Sequence, residues 1–249
     1  MHLLARPKGG TSTSGSLHTP GPESPPPSVL QRPCPYCAAL LSSRHPEYGD
    51  LEPWNRLLFR SRYCVVAPTL GAIVEGWLLV ISRDHCLSVG SLPSQAFQDL
   101  RAMVEAVVEV VARRYGPPTV FEHGPAKAGL DSGCGVDHAH VHVVPLPFSL
   151  GGAADRAGPS RLEWQPSLPN LGSLPSLHRA RRSYLYLHEP QQPPVHSLAP
   201  NLPCQFLRRV IAREVGIPGE FDYHVHSHET NVRRTIDAVA GALSAVSTC

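Results

Sequence analysis

Seven residues near the middle of the chain, His138 to Val144, constrain the fold more than any other segment. They read His-Ala-His-Val-His-Val-Val, with an imidazole at every second position and apolar side chains between them. Alternate residues of a β-strand point to opposite faces of a sheet. The pattern therefore predicts a strand that buries an apolar face and presents three imidazoles on the other face. Pro145 ends this predicted strand.

The remaining segments predict an α+β fold with an antiparallel sheet and one long helix. Helical spacing of apolar side chains over 93–115 predicts the helix, and Gly116 ends it. Short strands are predicted where apolar runs lie between turn residues: 62–67, 77–82, 119–122 and 184–187. Two further helices are predicted near the carboxyl end: 204–215 and 229–245.

Composition changes along the chain and predicts three parts. Residues 1–33 are dominated by Pro, Gly, Ser and Thr. They contain too few apolar side chains to offset the entropy lost on ordering, so we expect a disordered leader. We expect the main domain to span 34–148. Residues 149–249 are expected to form a mixed extension that packs on this domain.

Charge and cysteine content limit the possible partners and the compartment. The net charge is +2 with neutral histidines, which is too small for a broad nucleic-acid or membrane surface. The sequence contains no apolar run long enough to span a membrane. Seven cysteines, two of them in a Cys-x-x-Cys pair, are typical of metal ligation plus free thiols in a reducing compartment. We therefore expect a cytoplasmic protein without membrane or nucleic-acid partners.

The glycine-rich loop before the histidine strand predicts anion binding. Glycines in the segment 131–135 permit close backbone approach, and consecutive amides there can hold phosphate oxygens. A neutral imidazole is a nucleophile that needs no additional base. Loop and histidines together indicate chemistry at a phosphate group. The alternative is a solvated edge strand that happens to carry histidines.

Cys34 and Cys37 have the spacing of a chelating pair. Two thiolates separated by two residues bind one tetrahedral metal ion, and zinc takes two further nitrogen or sulfur ligands. The alternative is a pair of unrelated free cysteines.

The histidine strand 138–144 matches the His-φ-His-φ-His-φ-φ motif, where φ is apolar, and resembles the histidine-triad (HIT) superfamily. The segment 76–80, Gly-Trp-Leu-Leu-Val, is similar to the Gly-His-x-Leu-Val strand of that family. Phe-Glu-His-Gly at 121–124 and Gly-Cys at 133–134 are similar to its hexose-phosphate uridylyltransferase branch. The resemblance covers 34–148 and implies a HIT-like catalytic domain.

The resemblance implies a nucleotide hydrolase or nucleotidyltransferase that passes through a covalent nucleotidyl-histidine intermediate. His140 would be the nucleophile, and His142 would hydrogen-bond the phosphate or protonate the leaving group. Contacts to phosphate or substrate are expected from residues in and before the loop: Ser132, Gly133, Cys134, Glu122 and His123. For the last two, a purely structural role is equally open.

The resemblance also completes the metal site. In zinc-bearing relatives, the remaining ligands are a histidine after the Gly-x-x-Leu-Val strand and the first histidine of the triad. A structural zinc ion is thus implied, held by four side chains: Cys34, Cys37, His85 and His138. Four protein ligands leave no open position, so such a zinc ion would not activate water.

Several substrates and outcomes remain open. Dinucleoside polyphosphates, nucleoside phosphoramidates and nucleotide sugars all fit, with hydrolysis as the default. Transfer to a phosphate or sugar-phosphate acceptor is one alternative, and a nucleotide-binding protein without turnover is another. HIT relatives are commonly dimers, which implies a possible homodimer.

The chain departs from the family pattern at positions that favour the non-catalytic alternative. Trp77 stands where the family has a histidine, and Thr69 stands where many relatives have a ribose-binding aspartate. Further polar residues near the carboxyl end are interpreted as structural. Surface or domain contacts are expected for His224, His226 and His228, and a solvated helix face for Arg208 and Arg209.

Overall fold

The histidine strand lies inside an antiparallel sheet. The computed structural model describes residues 34–39, 52–129, 136–158, 162–198 and 202–244. Within these ranges the strands are β1 (Phe59–Arg60), β2 (Cys64–Pro68), β3 (Leu78–Ser82), β4 (Thr119–Gly124), β5 (His140–Val144), β6 (Gln165–Pro166), β7 (Tyr184–His188) and β8 (Val195–Ser197). Their order in the sheet is β1-β2-β3-β5-β4-β7-β8-β6, and each pairing is antiparallel.

Helices cover the sheet and connect its strands. They are α1 (Pro35–Ala39), α2 (Ser94–Tyr115), α3 (Leu150–Ala157), α4 (Leu174–Arg179), α5 (Phe206–Glu214) and α6 (Glu229–Ser244), with 3₁₀ turns at Pro53–Asn55 and Val89–Ser91. The predicted α+β class, with its antiparallel sheet and long helix, is confirmed. No helix in the described ranges has the length and apolar character needed to cross a membrane.

The long helix α2 packs on the apolar face of the histidine strand. Leu100 and Val107 of α2 lie in one buried cluster with Val141 and Val143 of β5. Gly116 ends α2 with a φ of 92°, a backbone conformation that residues other than glycine rarely adopt. The alternation predicted from the sequence thus fixes which face of β5 carries the histidines.

The opposite face of the sheet is covered by the residues after 149. Phe206 and Ile211 of α5 and Ile236 of α6 share a second buried cluster with Trp77 and Phe121. Three strands of the same region, β7, β8 and β6, extend the sheet beside β4. The carboxyl-terminal region therefore forms one wall above the histidine face.

The histidine strand is shorter than predicted. Regular pairing begins at His140, whereas the sequence predicts a strand from His138. The amide of Ala139 donates instead to the carbonyl of Cys86 over 2.6 Å, so the chain leaves the sheet ladder before His140. The predicted leader, 1–33, lies outside the described residues.

Candidate functional site

A cavity of about 290 Å³ lies over the histidine face of the sheet. Side chains of the sheet form its floor, and side chains of the carboxyl-terminal region form one wall. The lining residues that matter most for chemistry are His140, His142, His123, Thr69, Arg208 and Tyr223. The register of the sheet explains part of this set, because Phe121 of β4 pairs with His142 of β5. His123, two residues further along β4, shares the face of Phe121.

His140 is held by its own backbone neighbourhood. Its Nδ1 lies 2.6 Å from the carbonyl oxygen of His138, and the residue is 5% exposed. A carbonyl oxygen only accepts, so Nδ1 carries the proton and donates. In the neutral ring, Nε2 then carries the lone pair. The sequence motif predicts the position of this imidazole, whereas the contact with the carbonyl of His138 determines that Nε2 is the nucleophilic nitrogen.

His142 is held by Trp77. The indole Nε1 of Trp77 lies 3.0 Å from Nδ1 of His142. An indole N–H only donates, so Nδ1 of His142 accepts and its Nε2 carries the proton. Burial lowers the pKa of His142 well below its usual value, and the charges of His140 and Arg208 act in the same direction. His142 is therefore a neutral hydrogen-bond donor.

Aromatic rings surround the two histidines. The rings of His140 and His142 have centroids 4.8 Å apart, and His142 stacks on Phe121 at 4.4 Å. Tyr36 of α1, which lies between Cys34 and Cys37 in the sequence, contacts His140 edge-on at 5.4 Å. Such packing restricts the rotamers of both imidazoles.

The structure brings the four predicted metal ligands together. One ligand atom from each of Cys34, Cys37, His85 and His138 lies within 4.8 Å of the others. Nδ1 of His138 is 3.4 Å from Sγ of Cys34, and Nδ1 of His85 is 3.5 Å from Sγ of Cys37. Zinc bonds of about 2.3 Å to sulfur and about 2.0–2.1 Å to nitrogen, at tetrahedral angles, place nitrogen and sulfur about 3.5 Å apart. The observed spacing fits a zinc ion.

Protonation within this cluster also fits a metal. Nε2 of His138 donates to the carbonyl of Ser82 over 2.7 Å, which leaves Nδ1 as the ligand atom. Burial lowers the pKa of His138 to about 4, so its ring is neutral as ligation requires. Burial and the neighbouring Cys34 raise the pKa of Cys37 to about 11. A bound cation would offset this cost and release the proton.

Arg208 lies in the cavity wall, and the expectation of a solvated position is wrong for it. Its side chain is 7% exposed and its guanidinium lies over the ring of Trp77, 4.9 Å from the centroid. The same expectation is confirmed for Arg209, which is exposed. Arg208 points inward because α5 packs on the sheet with the face that carries it.

Thr69, at the position where the resemblance to the HIT superfamily predicts an aspartate, lines the cavity. Its hydroxyl donates to the carbonyl of Leu70 over 3.3 Å. The described lining residues include neither aspartate nor glutamate.

The other predicted residues fall into four groups. His123 lines the cavity. Glu122 points to the other face of β4, where it accepts from the amide of Val89 over 2.6 Å and from the hydroxyl of Tyr184 over 2.9 Å. Ser132, Gly133 and Cys134 lie outside the described residues. The histidines His224, His226 and His228 are not among the cavity-lining residues described.

Sequence reasoning missed several cavity residues that come from segments without a motif. Trp54 lies in a 3₁₀ turn, and Tyr223 lies in a turn before α6. No spacing rule connects these segments to the histidine strand, since only the tertiary fold brings them there. For Glu122, the signal was available, because strand alternation separates it from Phe121 and His123.

The buried carboxyl of Glu122 gives a prediction about stability. Burial raises its pKa from 4.5 to about 7, so the folded state binds a proton that the unfolded state releases above pH 4.5. Stability contributed by this group is thus highest below pH 4.5 and falls as the pH rises to 7, by about 3 kcal/mol at 1.36 kcal/mol per unit. Glu122→Gln should become more stable relative to the wild type over this range, as measured by urea unfolding. A constant difference between the two proteins from pH 4.5 to 8 would contradict it.

Comparison with known protein families gives a match to part of this chain. The HIT domain family model matches residues 52–148, a range that contains the histidine strand but neither Cys34, Cys37 nor Arg208. A comparison with curated proteins finds no match.

Among solved structures, similarity is limited in extent. A HIT-like protein from Bartonella henselae is 15% identical, with 36% of this chain and 67% of that chain covered and a TM-score of 0.31. A hypothetical histidine triad nucleotide-binding protein from Sulfolobus tokodaii is 14% identical, with 50% and 81% covered and a TM-score of 0.31. A zinc-bound histidine triad family protein from Mycobacterium smegmatis is 17% identical, with 50% and 81% covered and a TM-score of 0.31.

Proposed function

We propose that this chain is a nucleotide hydrolase or nucleotidyltransferase in which His140 forms a covalent bond to phosphorus. The observation that carries the proposal is the 2.6 Å contact from His140 Nδ1 to the carbonyl of His138, in a ring that lines the cavity. The contact leaves the lone pair on Nε2. The HIT domain match over 52–148 supports a nucleotide as ligand.

In the first step, the Nε2 lone pair of His140 attacks the phosphorus of a bound nucleotide. The bond from phosphorus to the leaving group breaks, and its electron pair departs with that group. The adduct is a phosphorylated imidazolium whose Nδ1–H remains bonded to the carbonyl of His138. This hydrogen bond strengthens as the ring becomes positive, so it stabilises the transition state more than the ground state.

His142 acts as a hydrogen-bond donor in this scheme. Its Nε2–H can bond a nonbridging phosphate oxygen or the departing oxygen, while Trp77 occupies Nδ1. A neutral imidazole N–H is too weak an acid to transfer its proton. Of the two roles expected for His142, we therefore propose the hydrogen bond and not the protonation. Amides of Ser132, Gly133 and Cys134 are proposed to hold the other phosphate oxygens.

In the second step, water or another acceptor attacks the phosphorus of the adduct. The phosphorus–nitrogen bond breaks, and its electron pair returns to Nε2 of His140. The attacking water loses its proton to solvent or to the departed group. Hydrolysis and transfer differ only in the acceptor, and the ring is regenerated in both.

We propose that the zinc ion has a structural role. Cys34, Cys37, His85 and His138 would hold it, and four protein ligands leave no position for water. Because His138 also supplies the carbonyl that orients His140, the metal ligands and the nucleophile share one backbone segment. The zinc would thus fix the start of the histidine strand.

The proposal is tested by a product survey on the full chain. Dinucleoside polyphosphates, nucleotide sugars and nucleoside phosphoramidates are supplied with water alone, with inorganic phosphate, or with a sugar phosphate. We expect nucleoside monophosphate from at least one class in water, and a changed product if transfer dominates. Tight nucleotide binding without any product over hours would contradict the proposal and support the binding-protein alternative.

The Trp77 contact gives a prediction about rate. Trp77→Phe keeps an aromatic ring beneath Arg208 but removes the N–H that holds His142. Loss of one buried hydrogen bond of about 1–3 kcal/mol corresponds to a decrease in kcat of about fivefold to 150-fold. The ¹⁵N spectrum should also show His142 changing from a single tautomer to a mixture.

Trp164→Phe is the matched control for this change. Trp164 donates its indole N–H to Asp155 over 3.0 Å, and it does not line the cavity. We expect its kcat and the His142 spectrum to match the wild type. Equal rates and equal spectra for Trp77→Phe and the wild type would show that Trp77 does not position His142.

A further inference from the structure

One wall of the cavity over His140 and His142 carries a positive charge, the guanidinium of Arg208. Arg208 is the only lysine or arginine among the described residues that line it, and these residues include no acidic side chain. The residue is 7% exposed, so its charge is shielded from most of the solvent. A fixed positive charge in an apolar cavity attracts an anion far more strongly than the same charge in water.

The guanidinium of Arg208 is fixed in place before any ligand binds. Its Nε donates to the carbonyl of Phe221 over 3.0 Å, and its Nη2 donates to the carbonyl of Gly71. The group also lies over the ring of Trp77 at 4.9 Å. Gly71 has a φ of 67°, and a Cβ there would come within 2.8 Å of Nη2. The backbone thus leaves room for this position of the guanidinium.

Helix α5 adds to the positive potential. Gln205 and Leu207, at its amino-terminal end, line the cavity together with Arg208. Unpaired amides make this end of a helix partly positive. The helix dipole and the guanidinium therefore act on the same space.

The arrangement of His142 limits which groups can leave. Trp77 donates to Nδ1 of His142, so this ring offers a hydrogen bond but no transferable proton. An amine must be protonated to depart from phosphorus, whereas a phosphate departs as an anion. Arg208 and His142 both contact the Trp77 ring, so the guanidinium can stabilise such an anion beside this histidine.

We propose that Arg208 binds a second anionic phosphate of the substrate, next to the phosphorus attacked by His140, and that the substrates are nucleotide phosphoanhydrides. This inference rests on the proposed function. When the bond from phosphorus to the bridging oxygen breaks, its electron pair stays on that oxygen, and Arg208 stabilises the resulting charge. Nucleoside phosphoramidates lack this second phosphate.

The test compares ligands of different charge on the full, zinc-loaded chain. Calorimetry measures binding of the nucleoside, its 5′-monophosphate and its 5′-diphosphate for each of the four common bases. The readout is the affinity ratio of diphosphate to nucleoside within one protein, so partial loss of folded protein cancels. The variants are Arg208→Gln and Arg208→Lys, with Arg209→Gln as control on the exposed face of the same helix.

We expect the wild type to bind the diphosphate of its preferred base more tightly than the nucleoside. Arg208→Gln should reduce the affinity ratio of diphosphate to nucleoside by about tenfold to a hundredfold. This range corresponds to the loss of a charge-assisted hydrogen bond of about 1.5–3 kcal/mol. Arg208→Lys should retain part of the ratio, and Arg209→Gln all of it. The same ratio in Arg208→Gln and wild type overturns the proposal. So does the absence of binding by every probe.

Turnover separates this inference from the proposed function. With active protein, kcat/KM for a dinucleoside polyphosphate should exceed that for a phosphoramidate, and Arg208→Gln should reduce this preference. Equal or greater turnover of the phosphoramidate contradicts the inference but leaves the nucleophilic role of His140 intact. If the affinity ratio of diphosphate to nucleoside depends on the charge of Arg208 but no substrate is turned over, the Arg208 subsite is supported and the proposed function is contradicted.

Discussion

Replacing His140 with alanine should lower kcat by about ten-thousandfold or more, because the nucleophile itself is removed. His142 cannot take its place by a small shift, since Nε2 of His142 carries a proton when Trp77 donates to its Nδ1. Residual turnover would come from binding and from transition-state stabilisation alone. The measurement is product formation under single-turnover conditions with the substrate that the product survey identifies.

The control for this variant is His224→Ala, because His224 is exposed and does not line the cavity. We expect it to match the wild type in rate. Nucleotide affinity in His140→Ala should change by no more than a few fold, which separates loss of chemistry from loss of the site. Turnover by His140→Ala at the wild-type rate would remove the assignment of the nucleophile.

Zinc removal should have the second-largest effect, and it should act on stability. We expect about one zinc ion per chain in fresh protein, and Cys34→Ser should lose most of it. Structural zinc sites contribute roughly 10–16 kcal/mol of apparent binding free energy in small peptides. Loss of one of four ligands should therefore destabilise the fold by at least about 3 kcal/mol. Metal analysis and thermal unfolding with and without a chelator measure both quantities.

The matched control is Cys204→Ser, since Cys204 is exposed and lies outside the metal cluster. Its zinc content and unfolding temperature should equal those of the wild type. Fresh protein without zinc, or Cys34→Ser with full zinc and unchanged unfolding, would contradict the metal assignment.

Periodic patterns explain which parts of the structure were predictable. The alternation over 138–144 and the helical spacing over 93–115 are local signals, and each predicts its element within two residues. The strands β6 and β8 were missed because two or three residues in a proline-rich segment carry no measurable period. The break at Ala139 depends on a contact with Cys86 that no local pattern encodes.

The residues of the site likewise separate into those that local patterns predict and those that only the tertiary fold positions. Residue types and spacing identified the histidines and the cysteine pair, and resemblance added His85 as a partner. The departure at Trp77 suggested a loss, whereas the structure places its indole as the donor that holds His142. Arg208 was misplaced because an amphipathic pattern does not say how a helix is rotated against a sheet formed by distant segments.

A covalent bond between His140 and phosphorus can be trapped and located on the chain. Protein is mixed with its substrate, quenched in alkali, where phosphorus–nitrogen bonds persist, and analysed by intact mass and peptide mapping. We expect a mass increase of one nucleotidyl group on the peptide that contains His140, absent from His140→Ala. Steady turnover with no adduct, or with the adduct on another residue, would contradict it.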